Sequence, residues 1–204
     1  SFNIEKPRLA AFCNTIEQYN ACKDFGLDII YFKDNVFRRN NIKYKDTEDL
    51  ILVGGYGGIN YFKENKNKVS DFSLNVVNSI SVNILHNYGV NRVTLSHEMN
   101  KNQIEDLINS YYKENNGYPN LELIVYGRQD LMHTNYCPLK VNGLCKKCKE
   151  QQFYISDEYG EFPILSHNDC TTTILNGKIL NLLDEMNKIK NINVFRLQFT
   201  LEDY

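Results

Sequence analysis

Apolar residues recur along this chain with two alternating periods. Short runs that alternate or are wholly apolar are typical of strands, whereas apolar residues three or four positions apart are typical of amphipathic helices. The pattern therefore predicts an α/β domain. About seven runs are strand-like, at residues 9–13, 28–32, 50–53, 72–77, 92–95, 121–126 and 194–199.

Side chains that can cap a helix mark several boundaries between these runs. Thr15 and Gln18 have the spacing of a capping box, and Gly26 can end the helix that they begin. Asn100 and Gln103 form a second such pair. Apolar stripes at helical spacing are formed by Ile104, Leu107, Ile108 and Tyr111, and by Ile179, Leu182, Leu183 and Met186.

The repeated succession of strand and helix predicts right-handed crossovers and a parallel sheet. An open doubly wound sheet and a closed barrel give the same pattern in sequence. A complete barrel normally has eight strands and about 250 residues. We therefore favour an incomplete or degenerate (β/α) TIM-like barrel, formed by residues 1–136 and 171–204.

Residues 137–170 interrupt this alternation and predict an inserted, cysteine-rich metal-binding subdomain. The segment contains a hairpin pattern, with strands at 153–156 and 161–165 and a turn at 157–160. The turn would fold the chain back and could bring Cys170 beside the other cysteines of the segment. Those cysteines are Cys137, Cys145 and Cys148.

Four thiolates are the usual full ligand set for a tetrahedral zinc ion or an iron-sulfur cluster. Only one Cys-x-x-Cys pair is present, which departs from the common zinc pattern and favours an iron-sulfur cluster. Nearby lysines could offset the negative charge of such a centre or form a solvated loop: Lys140, Lys146, Lys147 and Lys149. The four cysteines could also be free, and Cys13 and Cys22 are predicted only to pack.

Composition and charge indicate in which cellular compartment the protein is expected and which classes of partner it is expected to attract. The 204 residues carry a formal net charge of -2, so no overall field attracts nucleic acid or an anionic membrane, and any RNA binding would be local. The apolar runs are too short to span a membrane, and the first residues lack a secretory signal. We expect a cytoplasmic protein with reduced thiols.

Several blocks of residues resemble peptidase family U32, the collagenase-like bacterial proteins. The similarity runs through Asp71 to Asn75, Gly89 to Glu98 and Phe195 to Glu202, and it is most specific in the block from Val125-Tyr-Gly-Arg128 to Tyr136-Cys-Pro-Leu139. The resemblance covers residues 8–202 and implies a barrel-like fold. It also implies that Cys137, Cys145, Cys148 and Cys170 hold a [4Fe-4S] cluster.

The resemblance further implies oxygen-independent hydroxylation of RNA bases in tRNA or rRNA, with prephenate as a hydroxyl donor in one relative. It implies that this chain matches the carboxy-terminal barrel-like unit of longer members, whose amino-terminal barrel would be a partner. Two alternatives remain at this point. One is a non-catalytic RNA-binding or accessory module with structural zinc, and the other is a peptidase, as the family label says.

In a barrel, catalytic residues collect at the carboxyl ends of the strands. The strongest candidates by this criterion are Arg128, Glu98 and Asn75, and Arg128 could clamp a carboxylate or phosphate or form a structural ion pair. The zinc-protease motif His-Glu-x-x-His is absent because residue 101 is Lys. Further candidates at strand ends are Asn78, Ser96, His97, Tyr126, Thr200 and Glu202.

Overall fold

The computed structural model describes residues 6–37, 47–167 and 169–202. Contacts divide the chain into two compact units. We call residues 1–126 and 182–204 the barrel unit and Gly127–Asn181 the small unit. The predicted insertion, residues 137–170, lies inside the small unit.

The strands are β1 (Arg8–Cys13), β2 (Ile29–Phe32), β3 (Val36–Phe37), β4 (Ile51–Val53), β5 (Lys68–Ser70), β6 (Arg92–Thr94), β7 (Leu121–Thr134), β8 (Phe153–Asp157), β9 (Gly160–Ser166), β10 (Thr172–Asn181) and β11 (Val194–Gln198). The α-helices are α1 (Ile16–Asp24), α2 (Tyr56–Tyr61), α3 (Ser79–Asn87), α4 (Lys101–Asn115) and α5 (Pro138–Val141). Among the described residues, none of these helices combines the length and hydrophobicity needed to cross a bilayer.

The barrel unit contains a mostly parallel sheet in the order β2-β1-β11-β7-β6-β5-β4-β3. Its two edge strands, β2 and β3, are consecutive in sequence and are joined only by the short 3₁₀ turn Lys33–Asn35. This connection keeps the edges close together, so the sheet is nearly closed. The predicted α/β, incomplete TIM-like barrel is confirmed.

The inner and outer faces of the barrel have different apolar clusters. The inner cluster contains residues of the strands, with no helical residue, and includes Ala10, Tyr31 and Val194. The outer cluster joins alternate strand positions such as Ile51 and Val93 to the buried faces of α3 and α4. This alternation is expected in a barrel whose outer face is covered by helices, because successive side chains of a strand point to opposite faces.

Two predicted helix starts are confirmed by their caps. Thr15 Oγ1 accepts a hydrogen bond from Gln18 N at 3.2 Å, and Gln18 Oε1 accepts one from Thr15 N at 3.2 Å. Asn100 and Gln103 make the same reciprocal pair at the start of α4. The predicted stripe of α4, Ile104, Leu107, Ile108 and Tyr111, is buried.

The predicted strand at 72–77 is wrong. The strand of this region is β5, Lys68–Ser70, and Phe72–Leu74 forms a 3₁₀ turn. Lys68 is only 1% exposed, and its ammonium donates hydrogen bonds to the carbonyls of Lys63 and Asn65, each at 3.1 Å. A lysine satisfied in this way can occupy a buried strand, which a polar sequence run does not reveal.

The predicted helical stripe from Ile179 to Met186 is also wrong. Residues Thr172–Asn181 form β10, which pairs with β7 and β9, and only Met186–Lys188 adopts a 3₁₀ turn. Cross-strand pairing decides the conformation here, because short apolar runs fit either period.

The small unit is antiparallel. β8 and β9 pair from Phe153 opposite Ile164 to Asp157 opposite Gly160, so the predicted hairpin pairing is confirmed. Asp157 Oδ1 accepts hydrogen bonds from the amides of Tyr159 and Gly160 at 2.7 and 3.1 Å, which closes the turn. The hairpin strands themselves contain no cysteine.

Candidate functional sites

A network of buried charges fills the interior of the barrel unit. It is formed by Tyr31 on β2, Arg92 on β6, Glu122 on β7 and Arg196 on β11, together with Asp71 directly after β5. Four of these side chains come from inward positions of parallel strands, and that of Asp71 comes from the residue after one. All five residues are buried.

Glu122 lies at the centre of the network. Its Oε2 accepts hydrogen bonds from Tyr31 Oη and Arg92 Nε, both at 2.7 Å. Arg92 Nη2 also donates to Tyr31 Oη at 2.7 Å, which closes a triangle. Charge-assisted bonds of this length fix all three side chains relative to one another.

Arg196 joins a second carboxylate to this triangle. Its Nη2 donates to Asp71 Oδ1 at 2.9 Å, and its Nε lies 3.1 Å from Glu122 Oε1 in an ionic contact without hydrogen-bond geometry. The guanidinium also lies 5.4 Å from the centre of the Tyr31 ring. Two cations and two anions therefore balance inside the barrel, as buried charges require.

The network determines the protonation of its members. Burial and the charge of Glu122 raise the pKa of Tyr31 above its usual range, so the phenol stays a donor. Burial opposes the charged form of Arg196, but Glu122 and Asp71 outweigh it and raise the pKa of Arg196. Arg92 is likewise raised in pKa, because Tyr31 and Glu122 outweigh the effect of burial.

Part of the hydrogen-bonding capacity in this interior is unused in the portion of the chain that the structure describes. Arg196 Nη1, Thr94 Oγ1 and Gln198 Oε1 are buried and have no partner among the described residues. Thr94 and Gln198 end β6 and β11, so both lie towards the carboxyl ends of the strands, where barrels bind substrates. These atoms can bind a polar ligand or water.

The four predicted ligand cysteines all belong to the small unit, and all are free thiols. Cys137 precedes α5, Cys145 begins the 3₁₀ turn Cys145–Lys147, and Cys148 directly follows that turn. Cys170 has a positive φ of 61° in the connection between β9 and β10. None of the four is buried, which distinguishes them from Cys13 and Cys22.

The donor types and their number fit a cluster or a zinc ion, but their arrangement is not that of a formed site. Across residues 6–37, 47–167 and 169–202, no three His, Cys, Asp or Glu side chains converge closely enough to hold a metal ion.

Arg128 has a structural contact within the small unit. Its Nη1 donates hydrogen bonds to the main-chain carbonyls of Asn176 and Gly177 at 3.0 and 2.6 Å. This nitrogen therefore binds main-chain oxygens, and the predicted clamp on a carboxylate or phosphate stays a prediction. Arg128 thus ties β7 to β10.

The structure gives other predicted site residues local roles as well. Asn75 is exposed with a positive φ of 50° and ends a 3₁₀ turn, and Asn78 caps α3 by accepting a bond from Ser81 N at 2.8 Å. Glu98 is exposed, and its amide contacts Ser96 Oγ at 3.4 Å. Their catalytic roles remain predictions.

Four further candidates lie in the barrel unit. His97 lies against Phe72 at 4.8 Å between ring centres, and Tyr126 lies 6.1 Å from Phe199. Thr200 and Glu202 do come together, since Glu202 Oε2 accepts from Thr200 N in a 2.6 Å bond.

Sequence reasoning missed Tyr31, Arg92, Glu122 and Arg196 as a site. The available signal was a charged residue inside an otherwise apolar strand run, as in Leu121-Glu-Leu-Ile-Val and Val194-Phe-Arg-Leu-Gln. A charge at such a position must be paired if the strand is buried on both faces.

Comparison with known proteins identifies a family for this chain. Residues 43–199 match the family model described as Peptidase family U32. No curated protein and no solved structure matches the chain.

Proposed function

Because the chain belongs to peptidase family U32, we propose that its small unit holds a [4Fe-4S] cluster and that the protein contributes to oxygen-independent hydroxylation of RNA bases. The proposed ligands are Cys137, Cys145, Cys148 and Cys170. The observation that carries the proposal is that these four thiols belong to one compact unit and that all of them remain unpaired and outside its core. Buried structural cysteines would not remain available in this way.

Assembly of the site requires movement of turns rather than of strands. Cys145 begins a 3₁₀ turn and Cys148 directly follows it, while Cys170 lies in the connection between β9 and β10. The paired strands β8, β9 and β10 contain no cysteine, so their ladders can persist while the turns close around a cluster. Metal binding commonly supplies the free energy for such local ordering.

The surface of the small unit supports contact with RNA. Lys140, Lys146, Lys147 and Lys149 are exposed, and no acidic residue lies between the first and the last of them. Three exposed tyrosines, Tyr136, Tyr154 and Tyr159, belong to the same unit. Lysines bind phosphates and aromatic rings stack on unpaired bases, which is the usual combination for single-stranded RNA.

Metal analysis of anaerobically purified protein tests the cluster. We expect a brown protein with about four irons per chain. Cys148→Ser should lose the colour and most of the iron. The matched control is Cys22→Ala, which removes a thiol of the barrel unit and should retain the iron.

Other outcomes of the same experiment favour the alternatives. About one zinc per chain and no iron would favour an accessory module with a structural ion. A folded protein without either metal would overturn the proposal. Cleavage of gelatin by the purified chain, abolished by a single side-chain change, would instead favour the peptidase reading of the family label.

RNA binding is tested separately with unfractionated tRNA as the probe. The double variant Lys146→Ala/Lys147→Ala should bind more weakly, and the slope of log K against log salt should fall by about 1.5 because two phosphate contacts are lost. The control Lys63→Ala/Lys66→Ala removes the same charge from the barrel unit and should bind like the unchanged protein. Equal effects of both pairs would contradict a specific RNA surface on the small unit. The hydroxyl donor, for which prephenate is the candidate, and an amino-terminal barrel as partner stay predictions.

A further inference from the structure

A cavity of about 320 Å³ lies on the outer side of the barrel wall, entirely within the barrel unit. Its floor is formed by side chains of β1 and β11, including Leu9 and Leu197, and its other wall by α1. Apart from Gln18 and Glu202, the lining is apolar. The volume lies at the lower end of the range for small-molecule sites, about 300–1,000 Å³.

The rim of this cavity exposes an aromatic side chain to solvent. Phe25, directly after α1, is 81% exposed, although it lines the cavity together with the half-buried Phe199. An apolar ligand in the cavity would cover part of the Phe25 ring. Such coverage gives the exposed ring a favourable contact that the protein alone does not supply.

The two polar residues of the lining differ in how many of their side-chain atoms form hydrogen bonds. Gln18 Oε1 accepts the amides of Asn14 and Thr15, and its Nε2 donates to the carbonyl of Glu202 at 2.8 Å. Glu202 Oε2 accepts the amides of Thr200 and Leu201 at 2.6 and 3.0 Å. Glu202 Oε1 is buried and has no partner in the described part of the chain.

An unpaired carboxylate oxygen beside an apolar cavity is costly unless a donor reaches it. The donor that best compensates a carboxylate is a cation, since charge-assisted bonds are about twice as strong as neutral ones. From these contacts we propose that the cavity binds a small molecule with an apolar body and one protonated amine, with the amine on Glu202. This site is independent of the cysteines and of the RNA surface.

The test uses three probes that share one body and differ in the head group: 4-phenylbutylamine, 4-phenylbutan-1-ol and 4-phenylbutyrate. Affinities for the full chain are measured by calorimetry, and contact with the aromatic body by saturation-transfer NMR. The amine should bind at least about tenfold more tightly than the alcohol, as a charged hydrogen bond predicts. The carboxylate should bind most weakly.

Two variants locate the interaction. Glu202→Gln has the same shape and can keep the bonds to Thr200 and Leu201, so affinity for the amine should fall about tenfold to that of the alcohol, which should not change. Ala21→Phe fills the cavity from α1 and should abolish binding of all three probes. The charge-matched control is Glu17→Gln, at an exposed position of α1 outside the lining, and it should bind like the unchanged protein.

Three results would each overturn the proposal. They are the absence of saturable binding by any probe, equal affinities for the amine and the alcohol, and a preference for the amine that survives Glu202→Gln. Because Glu202→Gln is nearly isosteric, loss of the preference with retained alcohol binding also shows that the variant is folded.

Discussion

The barrel unit and the small unit treat their polar side chains in opposite ways. In the barrel, Arg92, Glu122 and Arg196 are buried and paired through several strands. In the small unit, the lysines and two of the four cysteines are exposed, and Arg128 bonds to main-chain carbonyls. The barrel therefore uses its charges to hold strands in place, whereas the small unit keeps its potential ligand atoms accessible.

This contrast bears on where function can be assigned. A network of buried charges that compensate one another is a rigid support, because removing one charge leaves the others uncompensated. Accessible thiols cost little to leave without a partner in water. They can be recruited by a ligand without breaking contacts of the fold.

The largest expected effect on stability comes from replacing an arginine of the buried network, and it is compared with the effect of replacing the arginine that joins two strands of the small unit. Arg196→Met removes a charged partner of Asp71 and leaves Glu122 undercompensated, so the free energy of unfolding should fall by about 3–5 kcal/mol. Arg128→Met removes two bonds to carbonyls at a half-buried position and should cost about 1 kcal/mol. Both values are measured by urea denaturation.

A surface ion pair supplies the control for charge removal. Lys101→Met breaks the exposed pair of Lys101 with Glu105 at 3.7 Å and should change stability by less than about 1 kcal/mol. If Arg196→Met cost no more than Arg128→Met, the buried network would not be the support described for the barrel.

A smaller effect should distinguish the cores of the two units. Leu85→Ala in the barrel unit and Leu139→Ala in the small unit each remove a buried leucine side chain. Each should lower the free energy of unfolding of its unit by about 2 kcal/mol or more. Hydrogen exchange should show the loss across the barrel strands for Leu85→Ala. For Leu139→Ala, faster exchange should be confined to residues 127–181, because locally stable units open separately.

The complementary measurement is limited proteolysis. Cleavage within residues 127–181 should accelerate in Leu139→Ala and stay unchanged in Leu85→Ala under conditions where the barrel is folded. Uniform destabilisation of both units by Leu139→Ala would show that they unfold together and would remove the distinction between them.

Loss of a helix cap should lower the free energy of unfolding by about 1 kcal/mol. Asn100→Ala removes the acceptor for the amide of Gln103 and half of the capping box of α4. Asn100→Asp retains an acceptor and should be nearly neutral. Thermal unfolding of the three proteins measures the difference, and equal melting temperatures would show that this cap does not contribute.

Whether a structural feature could be predicted from sequence depends on how far apart along the chain its interacting residues lie. The starts of α1 and α4 depend on side chains three residues apart, so Thr15, Gln18, Asn100 and Gln103 could be identified from sequence. The parallel order of the strands followed from the alternation of strands and helices. Both kinds of signal are local.

Features decided by distant partners could not be predicted in this way. The burial of Glu122 depends on Arg92 and Arg196, which lie on other strands. β5 was not predicted because it contains a lysine. The ammonium of Lys68 can be buried only because it donates hydrogen bonds to two carbonyls of the preceding turn. The spacing of the four cysteines predicts a donor set, but spacing does not determine whether the turns that carry them converge.

The smallest expected effect concerns the pH dependence of the barrel. His86, on α3, is partly buried, its Nδ1 lies 2.9 Å from the carbonyl of Val90, and its Nε2 is buried without a partner in the described chain. Burial lowers the pKa of His86 below its usual 6.5, and the bond to Val90 only partly opposes this. The unfolded chain therefore takes up a proton before the folded chain does, as pH falls below about 6.5.

It follows that this histidine contributes a loss of stability on acidification and has no such effect above about pH 7.5. His86→Asn keeps a donor towards Val90 but cannot be protonated, so the drop in unfolding free energy between about pH 7.5 and pH 5.5 should be smaller than in the unchanged protein. The same change at exposed His133 in the small unit should leave the pH dependence of barrel unfolding unaltered. A larger drop in His86→Asn would reverse the sign and mean that protonated His86 stabilises the fold, contrary to its burial.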